Sequence, residues 1–409
     1  MNISVLVIGG GAAGMMAAIS AANSGALVTV YEKNNSLGKK LLQTGNGKCN
    51  ITNKNLRLDC YYSSAPDKLN NYFGQFDSED TISVFQGMGL ILKDDNGYIY
   101  PACEQASVVR NILLNKMLGM GIEICYETIV TKIETNAGGQ YVVYTDSDSR
   151  VFDRVVIATG SYAGLRKTER IDSSIDGYSL AYHMGHKIIP VKPALTQVVC
   201  KNDFCKDISG VRVDCIVSLG MDGTYVGSEY GQLQLTDYGV SGIPIFQLSR
   251  IIAADSNHEY EFVVDMMPGV SEDTFIQMME SRILANQGAT VSAFFEGLLN
   301  TKLNSLLIRL AGLKEDDIVN TDTEDAIITA VSMVKCLRFD VKETRGFENA
   351  QCCSGGVSLY DISDSCESIY SPGLYFCGEI LDVDGKCGGY NLQWAWTTGY
   401  IAGEAAAKG

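Results

Sequence analysis

Three kinds of hydrophobic spacing succeed one another along this chain of 409 residues. It opens on an unbroken apolar run, Val5-Leu6-Val7-Ile8, then a glycine cluster, then the small-residue stretch Ala17-Ala18-Ile19-Ser20-Ala21-Ala22. A second run, Val28-Thr29-Val30-Tyr31, ends in Glu32. Strand, small-residue helix, strand and terminal acid in that order predict a βαβ unit. Residues 68–120 read as mixed and mainly helical, with an amphipathic period over Ser107–Leu114. Strands are predicted at Gly121–Tyr126, Ile129–Thr135, Tyr141–Thr145 and Val151–Ala158, the last running into Thr159-Gly160.

From about Pro190 the apolar residues alternate, at Gln197–Cys200, Val211–Leu219, Gln232–Leu235 and Tyr260–Val264, which predicts a β-rich insert. Thr236–Pro244 reads as a glycine-punctuated loop opening a helix. A 3.6-residue period then predicts helices at Asp273–Ala285, Val291–Leu299 and Thr323–Cys336. A strand-like stretch follows around Gly346–Tyr360, and a final helix over Asn391–Ala407. The texture divides the chain at 1–190, 191–269, 270–340 and 341–409, with the first and last parts forming one domain around two inserts.

The glycines give the first part its chemistry. Gly9, Gly11 and Gly14 enclose Ala12 and Ala13 in the G-x-G-x-x-G spacing. The first permits a tight turn, the second lets backbone approach a pyrophosphate, and the third allows close packing of helix on sheet. The phosphates would sit on free N–H groups at a helix N-terminus. Glu32 stands about 20 residues on, where an acid accepts from a ribose hydroxyl. Beyond it, Lys39 and Lys40 stand beside Gly38 in a loop suited to a pyrophosphate, and the Gly45/Gly47 turn would bring backbone against a flat ring. At the far end, Gly373–Glu379 leads to Gly388-Gly389-Tyr390-Asn391 and another small-residue helix. These two glycine-rich segments read as halves of one flavin site, which requires the chain ends to fold against each other. A helix N-terminus after Gly388-Gly389 would stabilise an anionic reduced ring.

Composition narrows the classes. Apolar residues make up 46% and charged residues 20%, ordinary for a globular protein. A net charge of −16 argues against nucleic acid or an anionic membrane as a partner, because neutralising phosphates needs clustered Lys and Arg. Thirteen cysteines without a C-x-x-C pair read as reduced, buried hydrophobes. The chain enters a strand at once and carries no apolar run of about 18 residues, so a cytoplasmic location is expected. His183 and His186 lack a third ligand, and no metal is expected. Asp382-Val383-Asp384-Gly385 lacks the later Glu of a calcium loop and reads as a turn. Adjacent Cys352 and Cys353 read as pocket lining or core rather than a disulfide.

Gly9–Gly14, Glu32-Lys33, Gly38–Leu42, Thr44–Asn53 and Gly378-Glu379 through Trp394-Ala395-Trp396 resemble the BaiN-like flavoprotein family from end to end. Its members include bile-acid ene-reductases, aminoacetone oxidases and a ribosomal-RNA dihydrouridine synthase. The resemblance implies an α/β fold: a discontinuous Rossmann-like FAD domain of the glutathione-reductase type, with an inserted β-barrel-like domain and a small helical domain. It implies non-covalent FAD. The matching positions are Gly9, Gly11, Ala12, Ala13, Gly14, Glu32, Lys33, Lys40, Gly45, Val130, Ala158, Thr159, Gly160, Gly378, Glu379, Gly388, Gly389, Asn391 and Leu392. Departures fall at Asp237, where relatives have His, beside Tyr238, and at Cys352-Cys353, where they have Val-Thr. These four are the candidate substrate positions, and no catalytic residue is assigned. No second dinucleotide fingerprint occurs, so NAD(P)H would visit only transiently as a reductant. Three reactions stay open: reduction of an activated C=C bond in a small, partly apolar molecule by hydride transfer at flavin N5, O₂-dependent oxidation of a small amine, and reduction of uridine in ribosomal RNA.

Overall fold

The computed structural model describes residues 2–165 and 176–408. The chain forms two compact units, Met1–Pro193 with Gln351–Gly409, and Ala194–Ala350.

The first unit is built on a five-stranded parallel sheet in the order Leu374–Phe376, Arg154–Ile157, Ser4–Ile8, Leu27–Tyr31, Glu123–Cys125. Its opening strand is central and its last-arriving strand lies at one edge, so both chain ends share one sheet. Ile8 is in register with Ile157 and Tyr31, and Ile157 with Phe376. The strands therefore finish level, and their carboxyl ends release the glycine turns side by side, where open α/β sheets bind ligands. The helices Ala12–Asn23 and Tyr390–Lys408 pack against each other. Gly399 and Gly403 make this possible, since a Cβ at either would strike the carbonyl oxygens of Ala13 and Ala17.

The single strand expected over Val151–Ala158 is in fact two. Ser149–Phe152 joins an antiparallel meander with Tyr141–Thr145 and Val130–Thr135, and Arg154–Ile157 joins the parallel sheet. The break falls at Asp153, whose carboxylate accepts from the Ser4 amide at 2.8 Å and the Ser4 hydroxyl at 2.7 Å. Within the stretch read as mainly helical, Leu92–Asp95 and Tyr98–Pro101 form a hairpin. Asn96 (φ 54°) and Gly97 (φ 92°) both adopt the left-handed conformation of a type I′ turn.

The second unit is a closed six-stranded barrel: Val198–Cys200, Gly239–Gly242, Thr224–Thr236, Arg212–Met221, Tyr260–Asp265 and Leu337–Thr344. Alternate residues, such as Cys215, Val217 and Leu219 or Leu337, Phe339 and Val341, fill its core. The helices Glu272–Ala285, Val291–Phe295, Thr301–Leu310 and Glu324–Cys336 bury Phe275, Phe294, Leu307 and Val331 in that same core. The last stave is Leu337–Thr344, which spans the boundary drawn at 340/341 from texture. The expected loop over Thr236–Pro244 is mostly strand. Only Asp237 and Tyr238 remain as a two-residue hairpin turn, because Thr236 pairs with Gly239. The helix that follows is Ile243–Ala254.

Candidate functional site

The fingerprint takes the shape its glycines require. Gly9 has φ 103°, and its amide donates to the Tyr31 carbonyl at 2.8 Å. A Cβ there would lie 2.5 Å from the Ala158 carbonyl oxygen, and one at Gly14 would collide with the Gly9 carbonyl. Gly11 differs: nothing lies within 4 Å of where its Cβ would be. It is also the N-cap of the helix that begins Ala12-Ala13, and no side chain caps that helix. The first amides thus face open space at the positive end of the helix.

Glu32 is buried at the end of the second strand. One carboxylate oxygen accepts from the Gly10 amide at 2.8 Å, the other from the Asn34 amide at 2.8 Å and the Asn34 side chain at 2.5 Å. A carboxylate offers about four acceptor positions, so three are taken and one is left. Val130, buried, starts the strand that follows Thr128, whose amide donates to the Glu32 carbonyl. Lys33 is exposed.

The closing segment meets the opening one directly. Gly378 (φ 79°) lies over Ala13, whose Cβ would be 2.6 Å from a Cβ added at Gly378. Its amide donates to the Thr398 hydroxyl at 2.9 Å, and its carbonyl accepts from the Trp394 indole at 3.2 Å. Glu379 pairs with the half-exposed Lys40 and accepts from the Ser161 hydroxyl at 2.9 Å. Burial works against the Lys40 ammonium, yet the Glu379 carboxylate outweighs it and the pKa is raised. Ser161 follows Ala158, Thr159 and Gly160, where the Arg154 strand ends and Gly160 (φ 74°) again opens onto free space.

Cys352 and Cys353 begin the strand Cys352–Val357, both buried. Successive strand residues point to opposite faces, which separates the two thiols. Burial pushes the Cys353 thiol up to about 11, opposed by the Ser161 hydroxyl and Lys40, and raises the Cys352 thiol well above its ordinary value. Tyr178 reaches the Glu379 carbonyl at 3.4 Å, and burial raises its pKa well above the usual value. Ser161 and Tyr178 were not singled out by sequence. Ser161 lay one residue past a recognised glycine turn, whereas Tyr178 carried no signal.

Gly388 (φ 123°) and Gly389 (φ 93°) precede the last helix. Their side-chain directions are filled by protein: Tyr98 at 2.6 Å from a Cβ on the first, the Thr52 backbone at 2.8 Å from one on the second. Asn50, buried beside Gly389 and Gly45 (φ 55°), has a side-chain oxygen with no hydrogen-bond partner. Asn391 spends its amide on a neighbouring turn, accepting from the Gly385 amide and donating to the Gly385 carbonyl, each at 2.8 Å. Leu392 is half-buried on the helix. In the second unit, Asp237 is exposed, and the Tyr238 ring lies under the Arg345 guanidinium, 4.5 Å from ring centroid.

His186 is buried, bonded to Ser368 at 2.8 Å and to the Ala181 carbonyl, and burial lowers its pKa. Among the described residues no three potential ligands gather for a metal, and no helix is long and apolar enough to cross a membrane.

A curated relative, the 3-dehydro-bile acid delta(4,6)-reductase of Clostridium scindens, is 37% identical over 98% of both chains. The ribosomal RNA dihydrouridine synthase of Haemophilus influenzae is 26% identical over 97% of this chain and 96% of its own. Among solved structures, the 3-ketosteroid-delta4-(5alpha)-dehydrogenase of Rhodococcus jostii RHA1 superposes with a TM-score of 0.50 at 17% identity, over 100% of this chain and 97% of that one. The 3-ketosteroid delta1-dehydrogenase of Sterolibacterium denitrificans gives 0.51 at 13% identity over 99% of both, a likeness of fold. The model of the HI0933-like protein Rossmann domain matches residues 3–405, and with the first of these relatives it establishes that the chain belongs to the HI0933-like Rossmann family.

Proposed function

We propose that this chain is an FAD-dependent oxidoreductase that reduces an activated C=C bond in a small, partly apolar molecule, reloaded by NAD(P)H. The observation that carries the FAD assignment is the closure of the chain's two ends into one cradle, with Gly378 over Ala13 and Glu379 paired to Lys40. The reduction rests on the end-to-end likeness to a relative named as a bile-acid reductase.

The residues fit FAD on three counts. Space is open at Gly11 and Gly160, where backbone would meet a pyrophosphate. Glu32 keeps one acceptor position for a ribose hydroxyl. Asn50 holds an unpartnered side-chain oxygen beside Gly389. Bound FAD would supply hydride exchange at its N5. The protein's part is binding and electrostatics. The free amides of the helix starting at Ala12 would hold the phosphates, and the N-terminus of Tyr390–Lys408 would offer its dipole to negative charge on a ring. The raised pKa values of Lys40 and Tyr178 keep both protonated at neutral pH, one as a cation, the other as a neutral donor.

Anaerobic mixing of FAD-loaded protein with NADH or NADPH should bleach the flavin absorbance, and a 3-oxo-Δ4,6 steroid should restore it. Bleaching by aminoacetone instead, with peroxide on admitting air, would replace this reading by the oxidase. Loss of one ribosomal dihydrouridine on deletion would replace it by the RNA reading, which the 26% relative supports and the charge of −16 opposes.

A further inference from the structure

The segment Asn50–Asn53 runs along the start of the last helix, and three of its four residues are tied to that helix or to the turn before it. The Ile51 carbonyl accepts from the Trp396 indole at 2.9 Å. The Thr52 hydroxyl donates to the Gln393 side chain, and the Asn53 side-chain amide donates to the Gly388 carbonyl at 3.1 Å. Asn50 heads the same segment and is also buried, at 7% exposure. Its side-chain oxygen has no hydrogen-bond partner among the described residues.

The surroundings of that oxygen are bare backbone. A Cβ at Gly389 would stand 3.0 Å from it, and one at Gly45 would stand 3.0 Å from the Asn50 backbone nitrogen. Both glycines have positive φ, 93° and 55°, so neither position accepts a side chain without strain. The oxygen thus lies at the N-terminus of Tyr390–Lys408. Leaving a buried acceptor unpaired costs stability that an apolar side chain of similar size would not.

An amide oxygen only accepts, so the group that satisfies it must donate. Within FAD the phosphates carry no donor at neutral pH. The oxidised isoalloxazine has a single N–H, at N3, set between two carbonyls. That imide edge reads acceptor, donor, acceptor. A helix start, whose first amides have no partner within the helix, beside one acceptor oxygen offers the complementary pattern.

We propose that the Asn50 side-chain oxygen accepts from N3–H of the flavin and so selects the edge of the ring held at this helix end. This rests on the FAD reading and deepens it, adding a side-chain contact to a cradle made mainly of backbone.

The test titrates apoprotein with FAD and with FAD methylated at N3, following flavin fluorescence on binding. The unsubstituted protein should bind the methylated form about 10- to 100-fold more weakly, the range for a buried hydrogen bond lost with its acceptor left unpaired. In Asn50→Ala the acceptor is gone and room remains, so the two cofactors should bind within about threefold of each other, as a double-mutant cycle requires of groups in contact. Asn50→Asp keeps the oxygen and should keep the preference for FAD, which guards against an alanine variant that fails to fold. Equal binding of both cofactors by the unsubstituted protein overturns the contact. So does a preference that survives in Asn50→Ala, the outcome expected of a ribityl hydroxyl as donor, or one that vanishes in Asn50→Asp. Failure of the unsubstituted apoprotein to bind FAD at all would instead refute the FAD reading.

Discussion

Asn391 stands at a matching cofactor position, yet its side chain is engaged elsewhere, and Asn391→Ala separates the two roles. Two hydrogen bonds of 2.8 Å tie its amide to both the N–H and the C=O of Gly385. Gly385 is buried and pairs with Tyr61, so the turn it belongs to is part of the core of the first unit. Each hydrogen bond contributes about 0.5–1.5 kcal/mol net, and a buried backbone group left unpaired costs about 1–3 kcal/mol. The alanine variant should therefore lose about 2–4 kcal/mol of stability in the apoprotein, before any cofactor is added.

The assay is unusually direct. The chain has two tryptophans, Trp394 and Trp396, both buried in the last helix, so indole fluorescence during urea unfolding reports the first unit alone. The midpoint should fall with the slope unchanged. If apoprotein stability moves by less than about 0.5 kcal/mol, the size of an ordinary surface substitution, the pinning argument is wrong and Asn391 acts on cofactor only.

Gly14→Ala should abolish FAD binding and destabilise the first unit by about 1–3 kcal/mol, because its methyl group would strike the Gly9 carbonyl; a normal FAD titration would refute this. Alkylation by iodoacetamide at pH 7.5, mapped by mass spectrometry, should modify the exposed Cys103 and Cys336 and spare Cys352 and Cys353. Because the Cys353 pKa is raised in the folded state, from the ordinary 9 to about 11, its neutral thiol stabilises the fold fully below pH 9. That contribution disappears as pH rises towards 11, where labelling of Cys353 and loss of stability should appear together. Labelling of either at neutral pH would contradict the burial.

The glycine fingerprint was legible because its physics is local: turn, close approach and helix packing each demand a missing Cβ within a few residues. The first unit's pairing of chain ends was also legible, since each end carries its own glycine signature. What sequence concealed was non-local. Ser149–Phe152 and Arg154–Ile157 are parted by a single residue, and only Ser4, some 150 residues away, reveals the break through its bonds to Asp153. The barrel's sixth stave, Leu337–Thr344, alternates as a strand should, but the long helical stretch before it hid its return to the barrel. The hairpin turn at Asn96-Gly97 carries an Asn-Gly signature of its own, inside a stretch whose wider composition is mixed and mainly helical.

The same distinction separates a cofactor cradle from a substrate pocket. A dinucleotide is gripped mainly by backbone, so its site is written in glycines, which have few other reasons to cluster. Contacts between side chains brought together by register and turn geometry leave no such trace. Gln197, Tyr238 and Arg345 come from three segments of the second unit and meet through a backbone hydrogen bond and a ring contact, and no spacing rule links them. Side chains of this kind can be exchanged while a glycine cradle stays fixed, consistent with curated relatives that bear such different names.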